Sequence, residues 1–129
     1  MTTYNCLPGH NRTAALTEAA AVLAAGKLVV MPTDTVYGIA CDAFNPAAVA
    51  ALLAAKHRGP DMPVPVLVGS WAAAEELAGD LPEPAVALMK AYWPGGLSVV
   101  VPQSSTVKWN LGETSHSVML RLSLIHISE

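Results

Sequence analysis

The chain has 129 residues, of which 53% are hydrophobic and 13% charged, and its formal net charge is −3 at pH 7. That length fits one compact domain, and the high apolar content with low charge excludes an intrinsically disordered protein. The acidic balance argues against a generally basic nucleic-acid-binding protein, although a few clustered Lys or Arg residues would suffice to contact phosphates. Two cysteines without metal-binding spacing are predicted to be reduced thiols of a cytoplasmic protein.

The N-terminal third contains an Ala-rich stretch at 14–25, which is shorter than the roughly 18 apolar residues that a membrane span requires. Glu18 interrupts this stretch and Gly26 ends it, so we predict a helix rather than a signal peptide. Thr13 is the predicted N-cap. Leu16 and Leu23 fall on one face of this helix, and we expect that face to be buried.

Short apolar runs alternate with helical patterns along the rest of the chain. The runs 27–31, 64–68, 97–101 and 118–122 are predicted strands, and Pro65 places the second of them at a sheet edge or a bulge. Asn45 followed by Pro46 is typical of a helix start, and further helices are predicted over 71–78, capped by Ser70, and over 83–92. This alternation indicates an α/β layered domain.

The first candidate site is the segment Pro-Thr-Asp-Thr-Val-Tyr-Gly at 32–38, directly after the first predicted strand. In an extended chain, Thr33, Thr35 and Tyr37 would point to one side and Asp34 to the other. Three hydroxyls at the end of a buried strand are suited to binding a small polar ligand. On composition alone, however, a turn that uses these residues for local geometry is favoured. Asp34 has no evident carboxylate partner, so we assign it no acid-base role.

Basic residues supply two more candidates. Lys56 and Arg58 follow the second predicted helix, where they either complement the helix dipole or bind phosphate oxygens. Arg121 lies in the apolar run 118–122, on the same face of the predicted strand as Met119. A buried arginine must be paired, so Arg121 binds either an acid of the protein or an anionic ligand. Ser117 would add a hydroxyl just before this strand.

Taken in order, four segments resemble the YrdC/Sua5 family, the threonylcarbamoyl-AMP synthases: 32–38, Lys56-x-Arg58, Trp-Pro-Gly-Gly-Leu-Ser at 93–98, and 117–121. The resemblance covers residues 14–122 and implies a YrdC-like twisted mixed sheet flanked by helices. It also implies an enzyme that condenses L-threonine, bicarbonate and ATP to threonylcarbamoyl-AMP and pyrophosphate. Partner proteins then use that product to modify tRNA.

The same resemblance implies roles for individual residues. The implied contacts to L-threonine are Thr35, Tyr37 and Arg121. The implied contacts to the nucleotide are Lys56, Arg58 and Ser117. Lys56 and Arg58 would stabilise the phosphate charge as pyrophosphate leaves, and Mg²⁺ is expected only as the partner of ATP.

The chain also departs from the family pattern. Leu67 stands where some members have a substrate-binding His, and Ser123 stands where Pro is usual. Residues 1–122 are expected to be the N-terminal part of a YrdC-like domain that is incomplete at its C-terminus, followed by a foreign or misread tail at 123–129. Two alternatives stay open: a double-stranded RNA or tRNA-binding module, and a carbamoyl-adenylate unit of a hydrogenase-maturation protein.

Overall fold

The computed structural model describes residues 1–7, 9–112 and 114–124. In chain order its helices and strands are α1 (Arg12–Ala24), β1 (Val29–Met31), β2 (Gly38–Ala40), α2 (Pro46–Ala55), β3 (Val66–Val68), α3 (Trp71–Leu77), α4 (Glu83–Tyr92), β4 (Val99–Pro102) and β5 (Ser117–Leu122). None of the helices in these ranges is long and apolar enough to cross a membrane. The predicted tail at 123–129 lies outside the described residues except for its first two positions.

The strands form two sheets. β1 and β2 pair antiparallel with Met31 opposite Gly38, so residues 32–37 form the loop of a hairpin. The larger sheet has the order β3-β5-β4, and β5 at its centre runs parallel to β3 and antiparallel to β4. β3 follows Pro65 and lies at an edge of this sheet, which confirms that prediction.

The larger sheet is buried on one face only. In β5, Val118, Leu120 and Leu122 are 3%, 0% and 0% exposed, whereas Met119 is 39% exposed and Arg121 is half-buried. This alternation confirms the predicted faces of the strand. Residues from the helices and the neighbouring strands complete the core: Val49, Leu53, Val66, Val68, Ala74, Met89, Val99 and Val101. Because the buried face of β5 packs on the core, the backbone of Arg121 is fixed, and its side chain lies on the opposite, open face of the sheet.

The end of α2 determines the backbone that carries one pair of predicted site residues. The His57 N–H donates to the Ala54 carbonyl at 3.0 Å, and the Arg58 N–H donates to the Leu53 carbonyl at 2.9 Å. His57 has φ 54°, a left-handed conformation that glycine usually supplies at this helix position. Gly26, with φ 79°, ends α1 in the same way, as predicted.

Two sequence-based expectations were wrong, and one strand was missed. The N-cap of α1 is Asn11, whose side chain accepts from the Ala14 N–H at 3.1 Å, because an Asn two residues before Thr13 already caps the helix. In α1 only Ala15 is buried, and Leu16 is 38% exposed. This helix contacts β1 of the small hairpin rather than the core of the larger sheet. The strand β2, which contains a glycine and spans three residues, was not predicted.

Candidate functional site

Arg121 is held from one side by the backbone of a turn at 93–97. The Trp93 side chain is almost fully buried, and its Nε1 donates to the Leu97 carbonyl at 2.9 Å. Within this turn the Gly95 N–H donates to the Leu122 carbonyl at 2.8 Å. The Gly95 carbonyl in turn accepts from Nε of Arg121 at 2.9 Å. The turn therefore docks on the end of β5 and fixes one edge of the guanidinium.

Asp34 holds the same guanidinium from a second side. Nη2 of Arg121 donates to Oδ1 of Asp34, and the two side chains are 14% and 13% exposed. Oδ1 also accepts from the Ser123 hydroxyl at 3.0 Å, and Oδ2 accepts from the Leu124 N–H at 3.2 Å. Of the two partners that the sequence left open for Arg121, the structure therefore shows an acid of the protein. Asp34, to which we assigned no acid-base role, is that acid.

The surroundings of Asp34 keep it ionised. Burial of the side chain tends to raise the pKa of Asp34, but four interactions outweigh burial and hold its pKa below the ordinary value of 3.8. These are the hydrogen bonds from the Leu124 amide and the Ser123 hydroxyl, the positive charge of Arg121, and a hydrogen bond from the backbone of Asp34 itself. The pair is therefore neutral as a whole, and a further anion at Arg121 would be bound by its remaining N–H groups.

The loop 32–37 folds as a local turn around Thr33. The Thr33 Oγ1 atom accepts the N–H groups of Thr35 at 3.3 Å and Val36 at 3.2 Å, and it donates to the Val36 carbonyl at 2.5 Å. The local turn that composition favours is confirmed. The extended arrangement with three hydroxyls on one side does not form, because these hydrogen bonds curl the chain. The same turn places Thr35 Oγ1 3.2 Å from Nη1 of Arg121. The loop 32–37 therefore forms a local turn and also brings a hydroxyl, that of Thr35, to Arg121.

Two other predicted ligand contacts lie away from these hydrogen bonds. Tyr37 follows the turn, and it is 77% exposed. Ser117 begins β5, at the opposite end of the strand from Arg121, and its hydroxyl donates to the Thr114 carbonyl at 2.5 Å. Alternation along β5 nevertheless puts Ser117 on the same open face as Arg121. Their roles in binding L-threonine and the nucleotide stay predictions.

The two predicted phosphate contacts lie at the C-terminal end of α2. Lys56 and Arg58 are both exposed there. Arg58 lines a cavity of about 340 Å³ together with residues of α2 and of the segment 110–112. Neither Thr35 nor Arg121 lines this cavity. That these cations share one ligand site with Arg121 stays a prediction.

Comparison with known proteins decides the family. A family model described as Sua5_yciO_yrdC, Telomere recombination, matches residues 21–128. The chain belongs to this family. A relative from Mycobacterium tuberculosis is 52% identical over 122 residues, which are 95% of this chain and 56% of that protein. The chain thus spans about half the length of this curated relative.

Solved structures of Sua5 from Pyrococcus abyssi match the fold as well. The complex with L-threonine aligns with a TM-score of 0.79 and 36% identity over 86% of this chain and 33% of that chain. A variant of the same protein aligns with a TM-score of 0.88 and 33% identity over 99% of this chain and 39% of that chain. These matches confirm the predicted YrdC-like α/β fold.

We call Arg121 and the groups that hydrogen-bond to its guanidinium, namely the Gly95 carbonyl, Asp34 and Thr35, the Arg121 cluster. In this member of the Sua5/YciO/YrdC family, sequence analysis did not identify two of these groups. Gly95 acts through its backbone carbonyl, which leaves no signal in the type of side chain. Asp34 lies 87 residues from Arg121, too far apart for any local pattern to pair them. Leu67 pairs with Arg121 across β3 and β5, so the departure from the family pattern at Leu67 lies beside the cluster.

Proposed function

We propose that this chain carries the L-threonine-binding part of a threonylcarbamoyl-AMP synthase. The observation that carries the proposal is the Arg121 guanidinium, which Gly95, Asp34 and Thr35 hold on the open face of the sheet. A preorganised guanidinium suits the carboxylate of an amino acid, and a hydroxyl beside it suits a second polar group. The fold match to a Sua5 structure complexed with L-threonine supports the same ligand. Tyr37 would line this site.

The proposed reaction has two bond-forming steps. The amine of L-threonine attacks the carbon of bicarbonate, and loss of water leaves a carbamate. A carbamate oxygen then attacks the α-phosphorus of ATP, and the bond to the bridging oxygen breaks to release pyrophosphate. Lys56 and Arg58 would stabilise the charge that develops on the leaving phosphates, while Ser117 contacts the nucleotide. Catalysis then rests on positioning, and no covalent nucleophile is required.

Mg²⁺ enters this proposal only with ATP. No group of three or more His, Cys, Asp or Glu side chains that could hold a metal ion occurs among the described residues. Mg²⁺ usually binds with nucleotides chiefly through their phosphates and through water, and the proposal gives it that position. When bound, the ion would neutralise phosphate charge. The product would pass to tRNA-modifying proteins in the cytoplasm.

Separate titrations with L-threonine and with ATP test the two halves of the proposed site. Thr35→Val should weaken L-threonine binding about tenfold, the value of one hydrogen bond, and change ATP binding less than about twofold. Arg58→Ala should weaken ATP binding and leave L-threonine binding unchanged. The helix end survives in Arg58→Ala, because only the backbone N–H of Arg58 bonds to Leu53. Lys27→Ala, at another exposed cation, is the matched control.

The outcomes separate the proposal from its alternatives. Unchanged ATP affinity in the Arg58 variant would reject the phosphate role of that residue. Pyrophosphate release should require L-threonine and bicarbonate together. A double-stranded RNA-binding module would instead bind RNA with an affinity that falls steeply as salt rises. Steep, salt-dependent RNA binding without any binding of L-threonine would refute the proposed function.

A further inference from the structure

The segment 58–62, which carries Arg58, has few restraints of its own. Each of its residues except Gly59 is exposed, and glycine is the residue with the widest backbone freedom. In the part of the chain that the structure describes, two backbone hydrogen bonds hold this segment. One ties the Arg58 N–H to the end of α2, and the other runs from the Met62 N–H to the Gly59 carbonyl at 3.1 Å. The position of the segment beyond the helix end therefore depends on what packs against it.

The stretch that packs against this segment is anchored in the core. Leu111 is 2% exposed and belongs to the hydrophobic core. Two residues earlier, Nε1 of Trp109 donates to Oε1 of Gln103 at 2.7 Å. Between them, Oδ1 of Asn110 accepts from the Gly112 N–H at 3.1 Å and closes a tight local turn. This stretch is therefore a fixed support for the backbone that touches it.

Gly112 is the point at which the two stretches meet, backbone against backbone. It has φ 107°, and a Cβ added to it would lie 2.4 Å from the carbonyl oxygen of Pro60 and 3.2 Å from the carbonyl carbon. A Cβ atom essentially never lies within 3.0 Å of such a neighbour. The hydrogen that glycine carries in place of Cβ therefore faces the Pro60 carbonyl, which is a weakly attractive Cα–H···O contact. Both the conformation and the close approach require glycine here.

We infer that Gly112 is a positioning residue for Arg58: it admits the Pro60 carbonyl, and this contact fixes the segment 58–62 so that Arg58 meets the phosphates of the nucleotide. The inference rests on the proposed function for the phosphate role of Arg58 and adds a residue that acts through it. In Gly112→Ala the Pro60 carbonyl must move by about half an ångström or more. The exposed segment moves rather than the buried Leu111, so Arg58, two residues from Pro60, loses its orientation.

A double-mutant cycle between Gly112 and Arg58 tests the inference. Calorimetric titration of the full chain gives the Kd for ATP and the Kd for L-threonine in the parent, in Gly112→Ala, in Arg58→Ala and in the double variant. We expect Gly112→Ala to raise the Kd for ATP about tenfold and the Kd for L-threonine less than about twofold. In the Arg58→Ala background the same substitution should change the Kd for ATP less than about twofold, because the side chain that it misplaces is gone.

Gly9→Ala is the matched control for backbone strain. Gly9 has φ 90°, and a Cβ added to it would have no neighbour within 4 Å. The substitution therefore brings a comparable conformational cost without a clash, and it should leave the Kd values for ATP and L-threonine unchanged. An equal loss of ATP affinity in Gly9→Ala and Gly112→Ala would overturn the inference, because general strain would then explain both.

The other outcomes separate the inference from the proposed function. If Gly112→Ala leaves ATP binding unchanged, weakens both ligands alike, or keeps its full effect in the Arg58→Ala background, the inference is wrong and the proposed function stands. Unchanged ATP affinity in Arg58→Ala, or no ATP binding by the parent, overturns both. If Gly112→Ala does not fold, Asn110→Ala carries the test, because it removes the acceptor for the Gly112 N–H without adding a clash. It should raise the Kd for ATP about fivefold in the parent and not in the Arg58→Ala background, and equal effects in the two would refute the inference.

Discussion

Replacing Asp34 with Asn keeps the size of the side chain and removes its charge. In the parent, Oδ1 accepts from Arg121 and Ser123, and Oδ2 accepts from the Leu124 N–H. An amide has one acceptor oxygen, so in Asp34→Asn its nitrogen would face a donor at one of the two positions. Arg121, only 14% exposed, would keep its charge without an opposing carboxylate.

The hydrogen bonds of Asp34 determine the size of this loss. A hydrogen bond to a charged group contributes about 1.5–3 kcal/mol, and a neutral one about half as much. Weakening the bond to Arg121 and losing the bond to Leu124 each remove about 1 kcal/mol on that scale. We therefore expect Asp34→Asn to lower the free energy of unfolding by about 2 kcal/mol at pH 7.

Urea unfolding at pH 7 measures the effect. Asp80→Asn removes the same charge from an exposed position and should cost less than about 0.5 kcal/mol. A double-mutant cycle with Arg121→Gln should show a coupling energy above about 1 kcal/mol between Asp34 and Arg121. A loss in Asp34→Asn no larger than that in Asp80→Asn, with no coupling, would refute the reasoning.

Three further predictions use the same unfolding assay. The pKa of Asp34 is lower in the folded chain than its ordinary value of 3.8, so its ionisation stabilises the fold above about pH 4 and this contribution is lost as pH falls through the folded pKa. The parent and Asp34→Asn should therefore converge in stability as the pH falls below the folded pKa of Asp34, and a constant gap would contradict this. His57→Gly should raise the free energy of unfolding by about 0.5–1 kcal/mol, because φ 54° favours glycine; a loss would show that the His57 side chain stabilises the helix end. Trp93→Phe removes the hydrogen-bond donor to the Leu97 carbonyl, so it should lower the free energy of unfolding by about 1–3 kcal/mol and weaken L-threonine binding. Unchanged binding would show that this bond does not support the turn that holds Arg121.

Helix ends were the most predictable part of the fold, because their signals are local. The Asn45 side chain accepts from the Ala48 N–H at 3.1 Å, and the Ser70 hydroxyl accepts from the Ala73 N–H at 3.1 Å, as their positions before α2 and α3 predicted. Each cap acts within three residues, so the sequence pattern contains both partners. The prediction of Thr13 as an N-cap was wrong because Asn11, two residues earlier, caps the helix. The prediction that α1 has a buried face was wrong because the element it contacts belongs to a two-stranded hairpin.

The cluster around Arg121 was only half predictable. Alternation in β5 showed that Arg121 shares a face with Met119 and needs a partner, and the resemblance to the family connected it with Thr35. The partner itself depends on how the β1–β2 hairpin sits against the end of β5. Hydrophobic periodicity describes one strand or one helix and carries no information on that placement. Asp34 and the Gly95 carbonyl therefore became visible only in the structure.

Arg121 lies on a strand that the core fixes, whereas Thr35, which hydrogen-bonds to it, lies on a loop that is restrained by its own hydrogen bonds. The backbone of Arg121 lies between Leu120 and Leu122, both fully buried, so the core fixes the height and direction of its side chain. The loop that carries Thr35 has no such support, and Thr33 ties it to itself through the Val36 carbonyl and amide. A binding site needs its groups held closely in orientation, and a loop meets that need only when its own hydrogen bonds restrict it. Damage to the core should therefore affect stability and binding together, whereas removal of the Thr33 hydroxyl should affect ligand binding first.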